Sequence, residues 1–329
     1  MMKNMMNLMK AQVIRSFGDP DVFSYEEIEI PVIKPDEVLV KVAATTFNPA
    51  DNGARKGLFG ELISVNPYKI LGLDLSGVIE EVGAEVTDYK FGNKVFANLN
   101  IRDPGSYAEF IALKAKDLCL APANLTLKEA GVLPLASLTA FQGLYELGDL
   151  KEGQSVLING AGGGVGSFAV QMAKHTGAYV IGVGSDKSID VIKRVNPDQM
   201  INYQGENITE TLKEKVDLVL NLARLSNENM LKMISLIKPN GKFVSSTGIP
   251  DQTFENKDNI SLLALNTKRG GERLKKIKEL VENGAISPII TKTYSLKDIP
   301  EVHKMAEEGL LHGKISIIVN ESIASLTGK

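Results

Sequence analysis

Apolar and polar positions alternate with different periods along the chain. The first third contains short runs rich in β-branched residues, separated by Gly, Pro, Asn and Asp. These runs are residues 11–14, 25–30, 38–44, 76–82 and 94–97. Short strands broken by such turns predict a closed or folded-over antiparallel sheet. Residues 127–147 then change to helical spacing.

The middle third alternates strand and helix. Strands are predicted at 155–159, 179–183, 217–221 and 242–246, with helices at 165–174 and 227–237. This repetition predicts a doubly wound parallel sheet with right-handed crossovers. The last sixty residues are mixed again, with helices at 272–283 and 299–308 and strands at 286–294 and 315–319. We therefore expect an α/β protein in which residues 125–268 form a nucleotide-binding domain inserted into an outer domain of residues 1–124 and 269–329.

Composition narrows the possible functions. Thirty-seven basic residues against 40 acidic ones leave a net charge of −3, so no basic excess is available to bind nucleic acid. The single cysteine, Cys119, excludes an intrachain disulfide and favours a reducing, cytoplasmic compartment. No run is typical of a membrane span, and the first ten residues lack the apolar core of a secretory signal. One cysteine and three scattered histidines (His175, His303 and His312) also predict a protein without a metal site.

The sequence SVLINGAGGGVG at residues 155–166 is the most informative segment. It follows a predicted strand and opens a predicted helix. Ala161, Gly163 and Gly166 stand in the G-x-G-x-x-G frame, with alanine in place of the first glycine. Such a turn brings bare backbone and a helix N-terminus to a pyrophosphate. The segment predicts a dinucleotide site.

The end of the next predicted strand indicates which dinucleotide the site binds. NAD sites place an acidic residue there, whereas this strand ends at Gly184, which leaves room and carries no charge. Ser185 can donate to a 2′-phosphate and Lys187 can neutralise it, which favours NADPH. Two alternatives stay open. Asp186 could bind the ribose from a displaced position, and Lys187 could be an ordinary surface lysine.

The chain resembles the zinc-free medium-chain dehydrogenase/reductases, in particular the quinone oxidoreductases related to zeta-crystallin. The resemblance covers nearly the whole chain from Met9, and Leu73 stands where zinc-dependent relatives carry the histidine of a metal-binding G-H-E segment. It depends on FNPAD (47–51), RKG (55–57), GLDLSG (72–77), GSYAE (105–109), LPL (133–135), LTA (138–140), AGGGVG (161–166), Tyr203 and GKI (313–315).

This resemblance implies a GroES-like β-rich outer domain, a Rossmann domain, and an active site in the cleft between them. It also implies NADPH and a homodimer built along the edge of the Rossmann sheet. Asn48 would lie near the nicotinamide, and Ser185, Lys187 and Tyr203 around the adenosine phosphate. The implied pyrophosphate contacts are Ala161, Gly162, Gly163, Gly164, Val165 and Gly166.

The acceptor side departs from the family pattern. Many relatives place a tyrosine two residues after R-x-G, and this chain has Phe59 there. Tyr68 could supply a hydroxyl from another direction, or it could simply pack beside Pro67. Asn48 is the candidate hydrogen-bond donor, with a role as a turn-former before Pro49 as its alternative.

With neither zinc nor an evident general acid, an electron-poor acceptor is expected, namely a quinone or an α,β-unsaturated carbonyl. Two other functions stay open. One is an enoyl-thioester reductase on the same fold. The other is a non-catalytic NADPH-binding protein.

Overall fold

The computed structural model describes residues 8–250 and 258–329, so the segment before the expected family start at Met9 lies largely outside the described residues. The chain divides into two compact units. Unit 1 contains the residues up to Leu135 together with Arg269–Asn283 and Ile290–Lys329. Unit 2 contains Ala136–Lys268 and Gly284–Ile289.

The strands are given first, in chain order. They are β1 (Leu8–Ile14), β2 (Phe23–Glu29), β3 (Glu37–Thr45), β4 (Lys69–Ile70), β5 (Asp74–Val82), β6 (Lys94–Asn98), β7 (Phe110–Lys114), β8 (Leu118–Leu120), β9 (Ser155–Asn159), β10 (Tyr179–Gly184), β11 (Gln199–Asn202), β12 (Val216–Asn221), β13 (Ile237–Ser245), β14 (Ser261–Ala264), β15 (Ile290–Ser295) and β16 (Lys314–Ile318).

The helices follow in the same order. They are α1 (Pro49–Arg55), α2 (Leu127–Ala130), α3 (Pro134–Phe141), α4 (Gly164–His175), α5 (Ile189–Val195), α6 (Ile208–Thr211), α7 (Asn227–Ser235), α8 (Gly271–Glu282), α9 (Ile299–Glu307) and α10 (Glu321–Ala324). A π-helical turn, Gln142–Leu147, continues α3. Within the described ranges, no helix has the length and apolar character needed to cross a bilayer.

Unit 1 is β-rich. Its larger sheet has the order β15-β16-β3-β5-β6-β8, with β7 also paired to β3, and its smaller sheet has the order β2-β1-β4. Every pair is antiparallel except β15 with β16. Strand β3 is buried along almost its whole length, as its Val- and Ala-rich sequence requires at the centre of a sheet.

Unit 2 contains a six-stranded sheet with the order β11-β10-β9-β12-β13-β14, and all its pairs are parallel. Strand order reverses between β9 and β12, which is the doubly wound arrangement of dinucleotide-binding folds. Helix α4 crosses from β9 to β10 and buries Phe168, Ala169 and Met172, the apolar face that the sequence predicted. The predicted α/β fold class is confirmed.

Some predicted boundaries were wrong. Helix α7 ends at Ser235, two residues before its predicted end, because Leu236 O accepts the Val216 amide (2.8 Å) and the chain joins the sheet. Strand β15 begins at Ile290 rather than 286, because the Ser287 backbone bonds instead to the Gln171 side chain (2.9 and 3.0 Å). Strands β11 and β14, of four residues each, were missed.

A buried polar chain connects α9 and α1 inside unit 1. The fully buried guanidinium of Arg55 donates to Glu307, to Gly18 O and to His303 Nδ1 (3.4 Å). Since arginine only donates, Nδ1 is unprotonated and His303 Nε2 carries the hydrogen that faces the Tyr107 hydroxyl (3.4 Å). Burial raises the pKa of Tyr107 well above its usual range, and the nearby Asp51 carboxyl group adds to the rise. Burial and the nearby Arg55 charge lower the pKa of His303 to about 3, so the ring is neutral.

The one cysteine also lies in unit 1. Cys119 on β8 is a free thiol with 3% of its surface exposed. Burial raises its pKa to about 11, so the protonated form dominates at neutral pH.

The buried His303 should make folding sensitive to acid. Below pH 6.5 the unfolded chain binds a proton that the folded ring refuses, so the free energy of unfolding falls as the pH falls. The opposing contribution of Asp51, whose pKa is raised to about 7 by burial, is removed by comparison with His303→Gln. The stability of wild type relative to this variant should drop by about 2–3 kcal/mol from pH 6.5 to 4.5. Urea unfolding at each pH measures this difference.

The exposed His175 provides the control. The stability of wild type relative to His175→Gln should change little over the same range. A difference independent of pH for His303→Gln would contradict a neutral buried ring.

Candidate functional site

A sharp turn joins β9 to α4 at the carboxyl edge of the unit 2 sheet. The amides of Gly160 and Ala161 both donate to Val183 O (3.0 and 2.9 Å), which ties the turn to the end of β10. Gly163 caps α4, and Gly164 and Val165 begin its first turn with free backbone N–H groups. The turn lies beside the reversal of strand order, where open α/β sheets bind ligands.

The glycines of this turn are required for different reasons. Gly160 has φ +90°, a conformation that favours glycine. A Cβ on Gly166 would lie 2.1 Å from Gly160 O, and one on Gly162 would lie 2.5 Å from Ser188 Cβ. On Gly163 it would meet only Gly160 O, at 3.3 Å, and its φ of −82° suits any residue. Packing and conformation therefore explain three glycines, and Gly163 is the least crowded of the four, with Gly160 O as its only near neighbour among the described residues.

The surroundings of Gly184, at the end of β10, contradict one argument made from the sequence. Gly184 was expected to leave room for a phosphate. A Cβ there would lie 2.3 Å from Ile192 Cδ1 and 2.9 Å from Ser188 Oγ, so α5 fills that space. The missing side chain allows α5 to pack against β10, and it does not create an anion pocket.

The other predicted adenosine residues lie together. The Tyr203 amide donates to Gly184 O (3.1 Å), and its side chain is 55% exposed. Ser185 opens the helical turn Asp186–Ser188, which also carries the exposed Lys187. In the ranges 8–250 and 258–329, no carboxylate pairs with Lys187.

Asp186, the alternative ribose ligand, is engaged by the protein. Its carboxylate accepts from the Asn202 side chain, and its amide donates to Gln204 Oε1 (2.9 Å). These contacts hold Asp186 against the loop after β11.

This arrangement fits a dinucleotide. The open backbone at Gly163 and the N-terminus of the twelve-residue α4 suit a pyrophosphate. The exposed cation of Lys187 and the face of Tyr203 suit the adenosine end. All of these groups belong to unit 2.

Asn48 lies in unit 1, immediately before α1, and is 4% exposed. Its Nδ2 donates to Asp74 Oδ2 (2.9 Å), and its Oδ1 accepts from Lys314 Nζ (3.1 Å). Asp74 and Lys314 are themselves buried. Charge-assisted hydrogen bonds of this kind contribute about 1.5–3 kcal/mol each. The amide is thus held between the buried carboxyl group of Asp74 and the buried amino group of Lys314.

Further donors hold the two carboxylates beside Asn48. Asp74 Oδ1 accepts from Asn98 Nδ2 (3.1 Å) and from the Leu135 amide (2.8 Å). Asp51 Oδ2 accepts from the Asn48 amide (2.8 Å). Burial raises the pKa of Asp74, and the nearby Lys314 opposes this rise. Burial lowers the pKa of Lys314, and the carboxyl groups of Asp74 and Asp51 oppose this fall. We name Asn48, Asp51, Asp74 and Lys314 the buried charge cluster.

The two aromatic candidates pack in unit 1. The Phe59 ring is partly buried against α1, where a Cβ on Gly53 would lie 3.0 Å from it. Tyr68 is also partly buried, with the Arg15 guanidinium 5.7 Å from its ring centroid. These contacts agree with the alternative interpretation of Tyr68, in which its side chain simply packs against its neighbours.

Sequence reasoning assigned no role to Asp74 or Lys314. They lie 26 and 266 positions from Asn48, so no local spacing connects them. The available signal was a charged residue next to an apolar strand segment, LDL at 73–75 and KISII at 314–318.

Two family models match the chain. Residues 34–123 match the alcohol dehydrogenase GroES-like domain, and residues 196–317 match the family described as zinc-binding dehydrogenase. The described part of the chain contains no group of three His, Cys, Asp or Glu side chains placed to hold a metal ion.

Individual relatives agree with these matches. The chloroplastic NADPH-dependent alkenal/one oxidoreductase of Arabidopsis thaliana is 35% identical, over 86% of this chain and 72% of the relative. The 2-methylene-furan-3-one reductase of Solanum lycopersicum is 32% identical, over 94% and 79%. The solved quinone oxidoreductase from Coxiella burnetii is 27% identical over 95% of this chain and 100% of its own, with a TM-score of 0.84.

The chain belongs to the medium-chain dehydrogenase/reductase superfamily, within its quinone oxidoreductase and alkenal reductase group. The predicted family, the GroES-like and Rossmann-like fold, and the class of NAD(P)H-dependent oxidoreductase are confirmed. The individual site residues stay predictions.

We expect Gly163→Val to abolish binding of NADPH while leaving the fold intact. A branched side chain would occupy the open space at the turn and hold the pyrophosphate away from the backbone. Calorimetric titration with NADPH measures binding, and circular dichroism measures folding.

Gly162→Ala is the matched control for this prediction. Its Cβ would press on Ser188, so this variant should lose thermal stability, which Gly163→Val should largely keep. Tight NADPH binding by a folded Gly163→Val protein would show that the motif has been read in the wrong frame.

Proposed function

We propose that this chain is an NADPH-dependent, zinc-independent reductase of conjugated acceptors, that is, α,β-unsaturated carbonyls or quinones. The observation that carries the proposal is the open backbone of Gly163 at the capped turn of a doubly wound sheet. The activities named for the Arabidopsis and tomato relatives support the acceptor class.

NADPH is preferred over NADH for reasons of charge. Lys187 is exposed beside the end of β10, where it can neutralise a 2′-phosphate. Asp186, the group that would favour NADH, has its carboxylate engaged by Asn202. Gly184 supports this preference only through the absence of an acidic side chain at the strand end, and not through free space.

Bound NADPH would supply a hydride, and the acceptor takes it up with its electron pair. In an enone the hydride would add to the β-carbon, the C=C π electrons would form a new double bond between the α-carbon and the carbonyl carbon, and the C=O π electrons would move onto the oxygen. Water would then give a proton to the α-carbon, with NADP⁺ and hydroxide as the other products. The protein has to stabilise that oxygen. Among the described residues only Asp74 accepts from Asn48 Nδ2, so its second hydrogen can serve the acceptor oxygen.

We also propose that the chain forms a homodimer along the edge of the unit 2 sheet. Strand β14 is the edge strand beyond β13, and it is partly exposed in one chain. Sedimentation of the purified chain measures its oligomeric state.

We further propose a cytoplasmic location. The presence of a single cysteine in the chain supports a reducing compartment, which imaging of the tagged chain tests.

The activity is tested by following NADPH absorbance with a panel of quinones, alkenals, enoyl thioesters, ethanol and acetone. Conjugated acceptors should react, before and after dialysis against a chelator, and ethanol and acetone should react negligibly. Activity on enoyl thioesters alone would indicate the thioester reductase instead. NADPH binding without turnover of any acceptor would indicate a non-catalytic protein.

Lys187→Ala should weaken NADPH binding and leave NADH binding nearly unchanged. Loss of a charge-assisted contact costs about 1.5–3 kcal/mol, roughly a 10- to 150-fold change in dissociation constant. Fluorescence titration with each cofactor measures the two affinities, and the exposed Lys193 on α5 provides a control substitution to alanine. Equal losses for both cofactors would remove Lys187 from the phosphate site.

A further inference from the structure

The amide of Asn48 can adopt only one orientation in its surroundings. Lys314 Nζ donates to Asn48 Oδ1 (3.1 Å), and Asp74 Oδ2 accepts from Asn48 Nδ2 (2.9 Å). A flipped amide would set Nδ2 against the donor on one side and Oδ1 against the acceptor on the other. These two partners thus fix Oδ1 toward Lys314 and Nδ2 toward Asp74.

The ammonium also changes the amide electronically. A cation bonded to Oδ1 draws electron density toward the oxygen and makes the N–H groups stronger donors. This effect acts through the amide, so Lys314 need not touch the acceptor. Two backbone segments contribute, since Lys314 begins β16 and Asn48 precedes α1.

We propose that Lys314 is a positioning residue for hydride transfer, which orients and polarises Asn48 so that its second amide hydrogen stabilises the oxygen anion of the acceptor. Asp74 accepts a hydrogen bond from the other amide hydrogen and so helps to fix the orientation of Asn48. This inference rests on the proposed function, because it assigns the acceptor oxygen to Asn48. It extends the site to a residue 266 positions away in the sequence.

A double-mutant cycle tests the proposal. Lys314→Met and Asn48→Ala should each lower kcat roughly 10- to 100-fold, with little change in the dissociation constant of NADPH. If Lys314 acts through Asn48, the double variant should be no slower than Asn48→Ala alone. Losses that multiply in the double variant would overturn the proposal.

Two comparisons separate positioning from stability. Lys314→Arg keeps a cationic donor and should recover part of the lost kcat. Lys69, a second buried lysine of unit 1, donates to Asp103 O. Lys69→Met should therefore lower the unfolding temperature without lowering kcat. If Lys314→Arg is as slow as Lys314→Met while folded and binding NADPH, the charge has no such role.

A measurement without turnover separates this inference from the proposed function. Protein labelled with ¹⁵N-asparagine gives a side-chain amide signal for Asn48, identified by its loss in Asn48→Ala. Lys314→Met should shift that signal and Lys69→Met should not. An unchanged signal would contradict the polarised amide. A wild-type protein inactive on every acceptor, with the shift present, would contradict only the proposed function.

Discussion

The surroundings of Asn48 depend on the burial of one guanidinium. Arg55 is fully buried at the end of α1, and a buried charge is tolerated only when its donors are satisfied. Glu307, Gly18 O and His303 satisfy them, and His303 in turn donates to the Tyr107 hydroxyl. Asp51, which lies near enough to raise the pKa of Tyr107, accepts from the Asn48 backbone. Buried polar groups therefore extend from helix α9 to the residues around Asn48, although these elements are far apart in the sequence.

Several of the sequence motifs that carry the family resemblance supply side chains to the buried hydrogen bonds of unit 1. The RKG and GSYAE segments supply Arg55 and Tyr107, which both bond to His303. The FNPAD, GLDLSG and GKI segments supply Asn48, Asp51, Asp74 and Lys314, which bond to one another. Segments that look independent in the sequence therefore supply two neighbouring hydrogen-bonded groups in unit 1.

Patterns that repeat within about ten residues were readable from the sequence. The parallel sheet, the face of α4 and the glycine-rich turn all belong to this class, because each follows from a local period or spacing. The common contact of Asp74 and Lys314 with Asn48 could not be read, because only the folded sheet, in which β5 and β16 both pair with β3, brings these residues to the same asparagine. Gly184 was misread for a related reason. A glycine shows that something approaches closely, and only the structure identifies that neighbour as Ile192.

The burial of Cys119 bears on how this protein would withstand the compounds that it is proposed to reduce. Enones and quinones are electrophiles that react with thiolates, and thiolate character and access decide which cysteines are attacked. Cys119 is both buried and protonated at neutral pH, since burial raises its pKa to about 11. The chain therefore offers no accessible thiolate to the compounds that it is proposed to reduce, and repeated exposure to these acceptors need not inactivate it by alkylation of cysteine.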